Sequence, residues 1–564
     1  MLTKIYKIIF ICLIFFNQSN SYSKSLDSDN FSKKNLYNYI SALVSLDNNQ
    51  NSESLIFFNS SKQLKESHES YLKKYLIALI LNGKINKAVQ EIKTIKNKKN
   101  ADFFESQLLL VLDSLKKNDF KKSSFYINKL KQHQEEGTFE FIISSGLEEY
   151  VYLFYNNKIN NSFNNNFGNL SIINKALQNC YLEKEEAALF FEKIINLEKG
   201  GGYSRYLFFY LNFLLNEKKF AEAQAISQTI DPLNTTLLVG QAKKWMDEKK
   251  FDKFKKTFSC EKSNDIIAEF LYLISHLYSS EGDLKKSNFY FNLSQYFNPK
   301  FKFNLSLLAE NYLTSKDFDK SQKILKTFKQ ENEVYHWYKI KKIAEIINLR
   351  TNSEESFDYI NSQFVKIKNP SLKMIFEMGN IVKRFEKYDL SVKYYSKTLS
   401  ELDPKTLIYA EVLFRRGGSY ERIHNYEKSD EDLLQSLEIN PDEPHVLNYL
   451  AYSWLERNYQ IDEAIQMLEK AYEQKQNDPY IIDSIGWAYY LIGDYIKAER
   501  FLRKAVSIMP TDPIVNDHYG DILWKLERKI QASYFWKNVL TFEDTDNEMK
   551  EEIYYKLLKG PKKT

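Results

Sequence analysis

Histidine, cysteine and paired carboxylates are the side chains through which this chain could catalyse a reaction, and their spacing argues against it. The seven histidines are scattered along 564 residues, with no HExxH pair and no His/Cys spacing of a metal site. The carboxylate pairs Glu185-Glu186 and Glu551-Glu552 are adjacent in helical sequence. Neighbouring helical side chains diverge by about 100°, so neither pair can act as acid and base on one substrate. Gly200-Gly201-Gly202 lacks the Gly-Lys-Ser/Thr ending of a phosphate loop and follows helical sequence, so it reads as an inter-helix turn. Cys180 and Cys260 belong to no CxxC motif; an oxidising compartment would allow a disulfide between them, but eighty residues of separation in a stacked helical array favours two unpaired thiols. The expectation is a protein that is not an enzyme and uses no metal or cofactor.

Composition points to long helices. Hydrophobic residues make up 43% and aromatics 15%, which excludes a disordered chain, while 16 Gly and 10 Pro are too few for a turn-rich β protein of this length. The lysine runs Lys121-Lys122, Lys249-Lys250 and Lys255-Lys256 are short and dispersed, so they read as solvated helix faces and no nucleic-acid partner is expected. Residues 1–23 follow the order of a secretory signal: Lys4 and Lys7, an apolar run from Ile8 to Phe16, then small residues at Ser21-Tyr22-Ser23 or Ser19-Asn20-Ser21. Nine apolar residues cannot span a bilayer, which takes about 20. Cys12 sits mid-segment after a bulky residue, unlike a lipid-attachment cysteine. Export to the periplasm or cell envelope without a lipid anchor is therefore expected, and the net charge falls from +5 to about +3 once Lys4 and Lys7 leave.

From residue 30 onward helix pairs recur at roughly 34-residue spacing. The clearest runs from Pro479 to Pro510, where Gly486 and Ala498 mark a close helix approach, Leu502 fills the space between, and Pro510 ends the second helix. Pro444, Pro479 and Pro513 each begin a helix. Small, large, small, then proline at these offsets resembles the tetratricopeptide repeat, securely over 265–558 and more weakly over 30–260. The resemblance implies an all-α solenoid, a right-handed superhelix of helix-turn-helix repeats. Its parts would be degenerate repeats over 24–260 with an Asn-rich insertion near 156–166, further repeats over 261–400, a well-formed array over 401–543, and a capping helix and tail over 544–564.

Asp483-Ser484-Ile485-Gly486-Trp487, with Tyr489-Tyr490 and the following Gly-Asp turn, is similar to exported bacterial repeat proteins such as periplasmic adaptors of carboxyl-terminal processing proteases. In that family the first helix of each pair lines a concave groove. Its register there places Asn448, Tyr452, Tyr480, Asp483, Trp487, Tyr490, Asp517, Asp521 and Trp524 in the groove. Aromatics beside carboxylates suit a peptide with apolar anchors and some basic side chains. The resemblance thus implies a scaffold or adaptor holding a protein or peptide partner. A structural or self-assembling subunit of an envelope, secretion or pilus complex is the alternative. Homo-oligomer formation, and peripheral membrane association through a partner, are compatible with both.

Overall fold

A computed structural model describes residues 32–163, 165–197 and 202–561; the signal-like segment 1–23, together with Gly200 and Gly201, lies outside the described residues. These residues form thirty α-helices and no strand. No helix among them is long and apolar enough to cross a membrane. The chain divides into two compact units, one comprising residues up to Ile230 with Thr236–Ile346, the other Asp231–Thr235 with Ile347–Thr564.

Five of the turns between paired helices are built the same way. A residue with positive φ ends the first helix, and an Asp or Asn directly after it caps the second. Asn118, Gly282, Lys316, His424 and Gly493 take the left-handed position. Asp119, Asp283, Asp317, Asn425 and Asp494 follow them, each accepting from the backbone N–H three residues on. Pro444, Pro479 and Pro513 occupy the first turn of their helices, as their spacing predicts.

In the second unit, five pairs run from Leu372–Arg384 with Tyr388–Leu399 to Pro513–Lys525 with Lys529–Val539, and Asn547–Lys559 closes the series. On four of the first helices a glycine meets a large side chain sixteen residues on. A Cβ at Gly379 would strike Tyr395, at Gly417 Leu433, at Gly486 Leu502 and at Gly520 Trp536. Ala498, Leu502 and Ala505 are fully buried. The tightest fit is at Gly520, where a Cβ would lie 2.3 Å from Trp536 Nε1. Gly520→Ala is expected to cost about 1–3 kcal/mol, read as a lower urea midpoint, because the buried indole must move. An unchanged midpoint would mean that the two helices can separate freely.

The first unit does not extend as a simple ladder. Helix Ser263–Ser280 packs against Phe104–Lys116, Phe139–Asn156 and Asn169–Tyr181, so the chain between residues 182 and 262 leaves the stack and returns. That return corrects the expectation for the cysteines: Cys180 and Cys260 are joined in a disulfide, with Cα atoms 5.7 Å apart. Eighty residues of separation isolate two thiols only in a straight array. Arg205, carried on the same excursion, is buried against Glu269, with Nε–Oε1 at 2.8 Å and Nη2–Oε2 at 2.5 Å, and its Nη2 also donates to Asn304. The unit also curls back on its own beginning, since Lys285 pairs with Asp47 at 3.0 Å and the Tyr296 hydroxyl donates to Asn86 at 2.7 Å.

Candidate functional site

The nine residues that sequence places in a groove lie on three successive first helices, Pro444–Glu456, Pro479–Leu491 and Pro513–Lys525. Their environments differ. Tyr480 is 59% exposed. Asn448, Tyr452, Trp487 and Trp524 are half-buried, whereas Asp483, Tyr490, Asp517 and Asp521 are buried.

Trp487 is held on several sides. Its ring stacks on Tyr490 at 4.7 Å and on His518 at 4.1 Å, and its indole N–H donates to Glu456 Oε1 at 3.0 Å. Beneath it Asp483 Oδ2 lies 2.8 Å from His518 Nδ1. Burial alone would lower the His518 pKa, but Asp483, with Asp517 and Asp521 beyond it, outweighs burial and raises it.

Asp517 and Asp521 converge on one cation that the groove assignment omits. Lys556, from helix Asn547–Lys559, donates to both oxygens of Asp517 at 2.8 and 2.7 Å and to Asp521 Oδ2 at 3.0 Å. Asp521 Oδ1 also accepts from the Trp536 indole at 3.2 Å. Burial pushes the Asp521 carboxyl up to about 7, with the Asp517 charge adding to the rise and Lys556 opposing it. Asp517 is likewise raised by burial against the pull of Lys556. Burial would lower the Lys556 amine, but the two carboxylates outweigh it and its pKa rises. Trp524 packs where the chain leaves this helix: Gly560 has φ +79°, and a Cβ there would lie 2.5 Å from the Trp524 ring. Asp517, Asp521 and Trp524 are therefore engaged by the chain's own terminal helix. Tyr480, Asn448, Tyr452 and the edge of Trp487 form the part of the line left open.

Sequence reasoning missed His518, Lys556 and Glu456. A signal for the first two exists, since Asp483 to His518 and Asp521 to Lys556 are both offsets of 35 residues. That places each pair at one level of adjacent helices, so opposite charges at this offset face each other.

The tetratricopeptide repeat profile matches residues 268–301, 410–443 and 481–512, each a helix pair of the fold above. The chain carries tetratricopeptide repeats. A TPR repeat-containing protein of Pseudomonas aeruginosa is 33% identical over 110 residues, a match covering 20% of this chain and 18% of that relative. Among solved structures, a thermophilic TPR protein of Thermus thermophilus is 18% identical, with 33% of this chain and all of that one covered at a TM-score of 0.29. MamA of Desulfovibrio magneticus is 17% identical, with 31% and 97% covered at a TM-score of 0.26. Tetratricopeptide repeats imply a protein–protein interaction scaffold, and proteins built from them are generally not enzymes.

Proposed function

We propose that this protein is an exported scaffold that holds a peptide segment of a partner protein along the open line of its C-terminal repeats. The observation that carries the reading is a set of buried polar atoms on two adjacent first helices. Asn448 Oδ1, Asp483 Oδ1 and the Tyr490 hydroxyl have no hydrogen-bond partner. Each such atom costs about 1–3 kcal/mol while it lacks a partner, so a ligand that supplied hydrogen-bond partners here would be stabilised. Two of them are acceptors, and exposed Glu456 lies alongside, which favours main-chain amides and basic side chains. Tyr480 and the edge of Trp487 supply apolar contact.

The experiment is photocrosslinking in cells from p-benzoylphenylalanine at Tyr480, with the adducts identified by mass spectrometry. One dominant partner protein is expected. The companion variant Tyr490→Phe should capture about fivefold less partner while keeping or slightly raising thermal stability, because it removes an unpaired hydroxyl. Adducts to this protein alone, or none, would overturn the scaffold reading in favour of a self-assembling subunit. Export is supported by the Cys180–Cys260 disulfide, since such bonds persist in oxidising compartments. Fractionation with thiol alkylation should find both cysteines blocked in the envelope fraction. Free thiols in a cytosolic pool would refute export.

A further inference from the structure

The first unit has a cavity of about 460 Å³ between helix Leu237–Asp247 and the start of helix Glu333–Arg350. Its floor and walls are polar and aromatic together. Gln241 is 2% exposed and lines the cavity, and its side-chain carbonyl has no hydrogen-bond partner. Trp245, half-buried, and Tyr335, 7% exposed, form flat apolar walls. Five lysines and three glutamates line the space. Two of the glutamates are paired, Glu333 with Lys244 and Glu248 with Lys250 at 2.8 Å, which leaves Glu331 as the third. Lys253, Lys302 and Lys329 make no ion pair among the described residues, and they come from three separate segments of chain.

We propose that this cavity binds a short acidic peptide segment, a second partner contact distinct from the C-terminal line of repeats. An unpaired cation near a surface is inexpensive, but three around a cavity with one unpaired carboxylate, Glu331, leave a net positive concavity that attracts anions. The volume is within the range of small-ligand sites, about 300–1,000 Å³. The buried carbonyl of Gln241 needs a hydrogen-bond donor, which an ionised carboxylate lacks and a main-chain amide supplies. Separated lysines suit carboxylates spaced along a chain, and Trp245 and Tyr335 suit an apolar side chain between them.

The test is calorimetric titration of the full-length protein with the blocked peptide Ac-Glu-Phe-Glu-Leu-Glu-NH2, with Ac-Gln-Phe-Gln-Leu-Gln-NH2 as its neutral counterpart. The acidic peptide should bind at least about tenfold more tightly, and its affinity should fall with added salt. Lys302→Glu with Lys329→Glu, both at exposed positions, should abolish binding without moving the melting temperature. Gln241→Leu should weaken it several-fold. Equal binding of the two peptides, binding of neither, or indifference to the lysine reversals would overturn the proposal. Stronger binding of free glutarate, or of a single-stranded DNA 12-mer with the same lysine dependence, would overturn the peptide assignment.

Discussion

Lys556→Met should destabilise the C-terminal unit by about 3–5 kcal/mol at pH 8, or by the whole docking energy of the terminal helix if that is smaller. The variant keeps most of the side-chain stem but leaves Asp517 and Asp521 buried together with no cation between them. Loss of one partner from a buried ionic cluster costs far more than loss of a surface pair, because the remaining charges cannot reach water. The helix sits at the end of the array, so relief comes by local opening. Amide exchange over 547–559 should rise sharply while exchange over 479–508 changes little.

The pH dependence distinguishes this cluster from ordinary packing. A carboxyl whose folded pKa lies above its usual value contributes stability that is complete below the usual carboxylate range and disappears as pH rises through the folded value. For Asp521 that loss runs from the ordinary carboxylate range up to about 7. His518, also raised in the folded state, has the same sign: its contribution is complete below the ordinary imidazole range and is lost above it. The native protein should therefore hold its terminal helix more tightly at about pH 5.5 than at about pH 8. In Lys556→Met the gap to the native protein should shrink as pH falls and the raised aspartates take up protons, and widen above neutrality. A deficit of constant size between these pH values would show that Lys556 acts through packing alone.

The same cluster shows where the sequence stops being informative. Gly486, Ala498 and Leu502 could be placed in advance because the period of one helix and the turn after it fix which faces meet, and all three are buried. The positive-φ residue followed by Asp or Asn is equally local. The inner-face positions follow from the same register, but register gives direction and not company. Asp517 and Asp521 point inward as expected, and whether they face a ligand or the next helix depends on Asn547–Lys559 continuing the stack. Trp487 is a similar case, since its aim is legible and the rings of Tyr490 and His518 over it are not. The first unit was least legible because its neighbours are set by a long return of the chain rather than by spacing.

That return should make the disulfide the most consequential bond of the first unit. Closing a loop of this length, with a sequence separation of 80 residues, lowers the entropy of the unfolded chain by an amount equivalent to about 4–5 kcal/mol at 25 °C. Cys180 and Cys260 are 4% and 3% exposed, so alanine is the suitable replacement; a serine hydroxyl would add a burial cost of its own. Cys180→Ala with Cys260→Ala should lower the denaturant midpoint of the first unit by most of that amount, and reduction of the native protein should do the same. Arg205 holds the excursion independently through Glu269 and Asn304, so the variant should still fold, with the lobe of residues 182–262 exchanging amides faster than the rest of the unit. Equal midpoints for oxidised and reduced protein would mean that packing alone fixes the return of the chain. In that case the bond would report the compartment without stabilising the fold. A large difference would mean that the array depends on an oxidising environment to close, which ties the stability of the first unit to the export proposed from its sequence.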